Sequence, residues 1–177
     1  MSCTLSLKGL PFDCEKSKGG IQAIWITNYD DVETVDVGDD GVVSGITMVD
    51  GAKFKPFYIR KETGSLTSTW TVDESKGIGY CTNEVSLVFT KQDIVKRLEL
   101  NALAQNRLAC IVKDNNGIYT YLGSEDYVSM LSGSHTSGVA KGDNNSYSMV
   151  VKDETSGFPP LVSEEIIDTV CAKSADK

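Results

Sequence analysis

The sequence predicts a mainly β protein with one central helix and a short C-terminal helix. Three observations lead to this fold class. Apolar and polar side chains alternate along most of the 177 residues, which is the period of a β-strand. Turn signals such as Asn-Gly and Asp-Gly separate the alternating runs. Two segments instead show the apolar spacing of a helix, one near the middle of the chain and one near its end.

The first half of the chain contains several short strand patterns. Residues 20–27 are apolar on both faces, which is typical of a strand inside a sheet. The turn at residues 38–41 separates two weaker strands. Residues 46–49 and 53–59 are expected to pair with each other across the Asp-Gly turn at positions 50 and 51.

A long hairpin is predicted over residues 66–90, with a break at 73–77. Its first strand carries threonines on one face (Thr67, Thr69 and Thr71) and apolar side chains on the other (Leu66, Trp70 and Val72). We expect one core in which the helix crosses a sheet. Its predicted members are Trp25, Trp70, Leu87, Phe89, Ile94 and Leu98.

The central helix is predicted over residues 93–105. A capping box is expected at residues 90–93, and the predicted apolar stripe is Ile94, Val95, Leu98, Ala102 and Leu103. A hairpin with an Asn-Gly turn follows at 115–117, and a short helical turn is expected over 124–130.

The C-terminal part ends in a strand and a helix. The strand is predicted at 147–152 and the helix from Ser163 to Val170. The chain is expected to form a single domain over residues 1–177, because no repeat and no second apolar segment of domain size is visible. Three stretches fall outside its regular elements. They are an extended arm at 1–19, a polar loop at 132–146 and a frayed tail at 173–177.

Charge limits the partners. The formal net charge is -8, and the sequence contains only three arginines, Arg60, Arg97 and Arg107. Tight nucleic-acid binding requires clustered Lys and Arg, so it is not expected. An acidic surface close to DNA is compatible with this composition, because it repels phosphate. No apolar run approaches the roughly 20 residues of a membrane-spanning helix, and no secretory signal is visible, so no membrane partner is expected.

The five cysteines are predicted to be reduced core residues, since their number is odd and no CxxC occurs. A Cys3–Cys14 bridge is the alternative. Zinc is not expected, because ligand-pair spacings are missing and His135 is the only histidine. The sequence therefore predicts neither a metal nor a cofactor.

A catalytic constellation is also missing from the sequence. His135 follows Ser134, but the sequence has no nucleophile elbow, and an exposed loop histidine is the expectation. No phosphate-binding glycine motif occurs, and the adjacent carboxylate pairs lack an apolar setting. We therefore interpret the protein as non-enzymatic, with no catalytic residues.

Two features together resemble a known family. Cys14, followed by residues 19–29 (GGIQAIWITNY), resembles the N-terminus of tail-tube-type virion proteins from phages that infect Bacteroides and related bacteria. The element order also matches the wider tail-tube family: a threonine-rich hairpin, one helix, a second hairpin, a loop and a strand ending in aromatic-Pro. As a motif the resemblance covers about residues 14–31, and as architecture it covers most of the chain.

The resemblance implies a β-sandwich or partly closed barrel that assembles into homo-oligomeric rings around a DNA channel. Its long hairpin would line the lumen. The channel-lining residues would be Thr67, Thr69, Thr71, Asp73 and Glu74. The implied partners are further copies of the chain and other tail or head–tail proteins, with DNA as transiting cargo. The implied location is the virion tail, with the host cytoplasm during assembly.

Alternatives to the tube remain open. The protein could instead form a head–tail junction ring. A decoration or fibre-type binding protein on the virion surface is an alternative from another class. A hydrolase that uses His135 is the third. Residues 36–50 do not match the family pattern, and the polar loop at 132–146 is longer than a minimal tube subunit needs.

Overall fold

The computed structural model describes residues 9–10 and 16–172. Its elements, in chain order, are β1 (Ile21–Asn28), β2 (Val32–Val37), β3 (Val42–Met48), β4 (Lys55–Tyr58), β5 (Gly64–Asp73), β6 (Ile78–Thr90), α1 (Ile94–Gln105), β7 (Leu108–Asp114), β8 (Tyr119–Leu122), β9 (Ser129–Thr136), β10 (Ser146–Thr155), β11 (Leu161–Val162) and α2 (Glu164–Val170). The protein is mainly β with a central and a C-terminal helix, as the sequence predicts.

The strands form two open sheets, an arrangement consistent with a β-sandwich. The seven-stranded sheet has the order β2-β3-β11-β8-β7-β1-β4, and the four-stranded sheet has the order β5-β6-β10-β9. All neighbouring strands are antiparallel except β11 and β3, which run parallel. β1 is an interior strand, which confirms the prediction made from its two apolar faces.

The main core lies between the two sheets. Val85, Leu87 and Phe89 of β6 alternate with exposed or half-buried residues and point into this core, which confirms the predicted burial of Leu87 and Phe89. Isoleucines of β1 and buried residues of β7 and β10 complete this core. The alternation in β6 therefore decides which face of the four-stranded sheet is buried.

A second core lies between the other face of the seven-stranded sheet and α2. Ile167 and Val170 of α2 pack there with Phe54 and Tyr121, whose rings meet edge to face. Trp25 joins this second core, half-buried beside Tyr119. The prediction of one shared tryptophan core is therefore wrong, because the two faces of β1 serve different cores.

Trp70 does not lie in the core either. It is on the inward face of β5, but its side chain is 42% exposed because the hairpin extends past the opposite sheet. Its ring packs edge to face on Phe158, with the centroids 5.9 Å apart. The hairpin itself and its two faces are confirmed, with Trp70 opposite Cys81 in register.

Helix α1 uses a different face from the predicted stripe. Leu100 and Leu103 pack against the inter-sheet core, whereas Ile94 and Leu98 are 77% and 65% exposed. Successive residues turn by about 100°, so these two pairs lie on opposite sides of the helix. The capping box is also wrong, because Asp93 occupies the N-cap position and its side chain makes no capping hydrogen bond.

Three local predictions are corrected by strand pairing. Residues 132–136 belong to β9, so the loop is shorter than 132–146. Residues 124–130 form a bend and the start of β9 rather than a helical turn. β4 pairs with β1 and not with β3, so no hairpin forms across residues 50–51. The pairing of β9 with β10 and of β4 with β1 therefore decides the structure of these segments.

The described end of the N-terminal arm lies against the turn between β7 and β8. The Lys18 backbone N–H donates to Asn116 Oδ1 at 2.8 Å, and Asn115 Nδ2 donates to the Gly19 carbonyl at 2.7 Å. The predicted hairpin at this Asn-Asn-Gly turn is confirmed. Residues 1–8 and 11–15 of the predicted arm, the alternative Cys3–Cys14 bridge and the predicted frayed tail at 173–177 lie outside the described residues.

Candidate functional site: the outer face of the four-stranded sheet

The outer face of the four-stranded sheet consists of the side chains that alternate with the core residues. Thr67 lies opposite Glu84 and Thr69 opposite Thr82, and Glu84 in turn lies opposite Lys152. Hydroxyl groups dominate the face. They come from Ser65, Thr67, Thr69, Thr71, Thr82, Ser86, Ser148, Ser132 and Ser134. The face is therefore polar but carries few charges.

The three predicted threonines lie side by side on β5, and all are exposed. With Thr82 and Glu84 they line a shallow depression of about 240 Å³. The structure thus brings Thr67, Thr69 and Thr71 together as expected. It adds two residues that the sequence analysis missed, although counting back from the hairpin turn would have placed both opposite the threonines.

Lys152 is the only lysine or arginine in the four strands. Its Nζ lies 2.7 Å from Glu154 Oε1, and the hydrogen bond from Lys152 to Glu154 raises the pKa of the lysine, with Glu84 adding to the effect. The cation therefore stays charged, but acidic neighbours on the same surface compensate it. The outer face offers phosphate no uncompensated cation.

Asp73 and Glu74 lie at the tip of the hairpin, beyond the threonines. Hydrogen bonds from Ser75 and from Lys76 lower the pKa of Asp73, and Lys76 Nζ is 3.1 Å from its carboxylate. Glu74 is exposed and, within the described part of the chain, forms no ion pair. The tip is therefore ionised, and Glu74 supplies its excess negative charge.

The two edges of this sheet differ from those of the seven-stranded sheet. β5 and β9 contain neither lysine nor proline, the residues with which proteins protect open edges. In the other sheet, edge strand β4 carries Lys55 and Pro56, and edge strand β2 carries Glu33 and Asp36. In residue composition, the edge strands of the four-stranded sheet are therefore less protected than those of the seven-stranded sheet, although α1 packs beside β9.

His135 lies on strand β9 rather than in the predicted loop, and it is exposed as expected. Its ring lies 5.3 Å from that of Tyr147, beside Arg97, in a cavity of about 460 Å³ between α1 and the sheet. Ser134 points to the other face of the strand. The Ser–His arrangement considered in the sequence analysis therefore does not occur.

A buried polar cluster lies at the far end of the inter-sheet core. Asp153 is 2% exposed, and burial raises the pKa of its carboxyl group. Asn83 Nδ2 donates to Thr155 Oγ1 at 2.9 Å beside it. Asp153 was not predicted from the sequence, although this residue continues the alternation of Met149 and Val151 along β10.

Comparison of the chain with protein-family models, curated proteins and solved structures finds no match. Within residues 9–10 and 16–172, no group of three or more His, Cys, Asp or Glu side chains is placed to hold a metal ion. None of the helices there is long and apolar enough to cross a membrane. The cysteines of the described segment, Cys81, Cys110 and Cys171, are free and buried.

Proposed function

We propose that this protein is a structural subunit that assembles into rings around a channel for DNA, as the tail tube of a tailed phage or a related tail or head–tail ring. The observation that carries the proposal is the pair of edge strands on the four-stranded sheet, β5 and β9, which contain neither lysine nor proline. Each subunit would use these edges to pair with the next one. The resemblance of residues 14–31 to tail-tube-type proteins supports the same function.

The strand directions suit ring closure. Neighbouring strands in the order β5-β6-β10-β9 are antiparallel, so the two edge strands run in opposite directions. When β9 of one subunit lies beside β5 of the next, an antiparallel ladder continues without interruption. Repeating this contact around a ring gives a closed barrel, which removes the open edges.

The outer face of the sheet has the chemistry of a surface along which DNA can slide. Such a surface needs polar groups that stay hydrated, and it must not offer a row of cations that releases counterions and holds the phosphates. The threonine rows meet the first requirement, and the compensated Lys152 meets the second. We therefore assign this face to the lumen and Glu74 to one mouth of the channel.

Electron microscopy of the purified chain tests the assembly directly. We expect rings or tubes in negative stain and a matching large species in size-exclusion chromatography. A chain that remains a small particle at high concentration would contradict the proposal and favour a decoration or fibre-type protein of the virion surface.

Hydrogen exchange then tests which edges are used. In assembled particles, the backbone amides of β5 and β9 should exchange more slowly than in the dissociated chain. The edge strands β2 and β4 are the internal control and should show no change. Rings whose β5 and β9 amides exchange as fast as in the free subunit would rule out the proposed pairing.

A further inference from the structure

The structure has two exposed apolar patches at opposite ends of the four-stranded sheet. The tip patch consists of Trp70, Val72 and Phe158. The helix patch consists of Ile94, Val95 and Leu98 on α1. Each comprises three large apolar side chains close together, the pattern that marks an interaction surface rather than scattered surface residues.

The tip patch is exposed because the β5–β6 hairpin extends beyond the end of the seven-stranded sheet that covers its inner face. Trp70 and Val72 lie on the same face of β5 as Leu66, which packs against the core. Exposure rises along this face toward the tip and reaches 66% at Val72. Phe158, 68% exposed, contacts Trp70 from the segment after β10. Aromatic side chains of this kind often dominate the energy of protein interfaces.

The helix patch is exposed because α1 contacts the sandwich through its other side, with Leu100 and Leu103. Helix α1 starts four residues after β6 ends, and the tip lies at the start of β6. Trp70 and Val72 lie opposite Cys81 and Gly79, about ten residues before the end of β6, so roughly 33 Å of strand separates the two patches along the sheet. One subunit cannot close this gap within its own fold.

Charge distinguishes the two patches. The tip patch is bordered by Asp73, Glu74 and Lys76, and the pairing of Lys76 with Asp73 leaves Glu74 uncompensated. Beside the helix patch, residues 91–99 contain three cations and two acids, Asp93 and Glu99. One of the cations, Lys96, donates to the Thr90 carbonyl at 2.7 Å, whereas Arg97 forms no ion pair with another described residue.

We propose that the tip patch of one copy docks on the helix patch of another copy. This contact brings Glu74 near Arg97, whereas a contact between two tips would bring like charges together. A contact between unlike patches is head-to-tail and can repeat without end. The inference rests on the proposed function and deepens it, because it assigns the surfaces by which successive rings stack into a tube.

The test uses two pairs of substitutions in the full-length chain. Val72→Thr with Phe158→Thr removes the apolar tip, and Ile94→Gln with Leu98→Gln removes the apolar helix face. Threonine keeps β propensity and glutamine keeps helix propensity, so both variants should fold with melting temperatures close to that of the wild type. Val37→Thr with Ile118→Gln is the matched control, because these exposed residues lie in neither patch.

Particle lengths in negative stain provide the readout. The wild type and the control should form tubes of many rings, whereas each patch variant alone should give single rings. An equal mixture of the two variants should give particles of two rings, because one intact tip and one intact helix patch remain to dock. Two-ring particles of the helix variant alone would show that tips dock on tips and would overturn the inference.

Charge reversal supplies a second, independent measurement. Glu74→Arg and Arg97→Glu should each shorten the tubes at least several-fold at low salt, and combining the two should restore their length. If the patch variants or the charge variants form tubes as long as the wild type, the inference is wrong while the proposed ring function stands. If the wild-type chain forms no rings, the proposed function fails first and the stacking inference fails with it.

Discussion

The backbone N–H of Gly123, directly after β8, donates a hydrogen bond to Asp153 Oδ2 on β10 at 3.3 Å. This contact joins the two sheets through a buried carboxyl group. The other oxygen, Asp153 Oδ1, has no hydrogen-bond partner among the described residues. Ionisation of Asp153 therefore leaves a poorly solvated charge between the sheets.

Stability should depend on pH through Asp153. Burial raises the pKa of Asp153 in the folded chain, so the folded state binds this proton more tightly than the unfolded state. The contribution of Asp153 to stability is therefore present below its unfolded pKa and is lost as pH rises through the folded pKa. The loss for one such group is at most about 1.4 kcal/mol per pH unit.

The variant Asp153→Asn isolates this effect. Relative to the wild type, its free energy of unfolding should increase as pH rises from about 4 toward neutrality, measured by denaturant titration at each pH. Any constant cost of the amide cancels in this comparison. Glu154→Gln, at the neighbouring exposed position, is the control. Parallel pH profiles for Asp153→Asn and the wild type would contradict the interpretation.

A side chain at Gly123 should destabilise the fold more than one at a positive-φ glycine that faces open space. The Gly123 φ of 102° is in the left-handed region, and an added Cβ would lie 3.4 Å from the Ala109 Cα. Gly117 also has a positive φ, 87°, but an added Cβ there would meet open space. We expect Gly117→Ala to cost about 1 kcal/mol and Gly123→Ala clearly more. Equal losses in denaturant unfolding would show that the approach to Ala109 has no energetic effect.

Trp70 should contribute little to the stability of the free subunit. Leu87 is fully buried, so Leu87→Ala should cost about 2–5 kcal/mol. Trp70→Ala should cost roughly 1 kcal/mol, because the ring retains much of its contact with water. Thermal unfolding of dissociated subunits compares the two. A loss for Trp70→Ala as large as that for Leu87→Ala would place this tryptophan in the core after all.

Cations on the threonine row should make the assembled channel bind DNA. Thr69→Lys with Thr71→Lys adds two uncompensated charges per subunit, and a ring repeats them. We expect salt-dependent binding of a duplex oligonucleotide by fluorescence anisotropy, at least ten-fold tighter than for the wild type. Thr69→Ser with Thr71→Ser is the matched control. The proposed lumen assignment also predicts slower DNA ejection for the lysine variant only, so equal ejection rates would remove its support.

Strand patterns in the sequence were sufficient for the faces of β5 and β6, because the burial of alternate side chains leaves a local signal. They were not sufficient for β1, where an irregularity between Ile21 and Ala23 places Ile21 in the same core as Ile24 and Ile26. Nor were they sufficient for β9, whose serines and glycine give no apolar alternation. β9 is a strand because its backbone pairs with β10. The pairing of β4 with β1 was equally hidden, since it depends on residues about 30 positions apart.

Part of the candidate site could be predicted because it also depends on alternation within a single strand. The shared face of Thr67, Thr69 and Thr71 follows from alternation within one strand. The exposure of Trp70 and of Ile94 does not, because it depends on where the opposite sheet ends and on which side α1 contacts it. An apolar side chain favours burial, but the sequence does not reveal whether the residues that bury it belong to the same subunit.

The position of β11 has a consequence for protein synthesis. This two-residue strand lies between β3 and β8 and, among the described strands, is the only one that joins the β2–β3 hairpin to the rest of its sheet. Residues 161–162 follow all the other strands in the sequence, so the seven-stranded sheet cannot be completed until they have left the ribosome. Each nascent chain is therefore expected to complete this sheet only after β11 has been made, which delays its incorporation into any assembly until that strand has been translated.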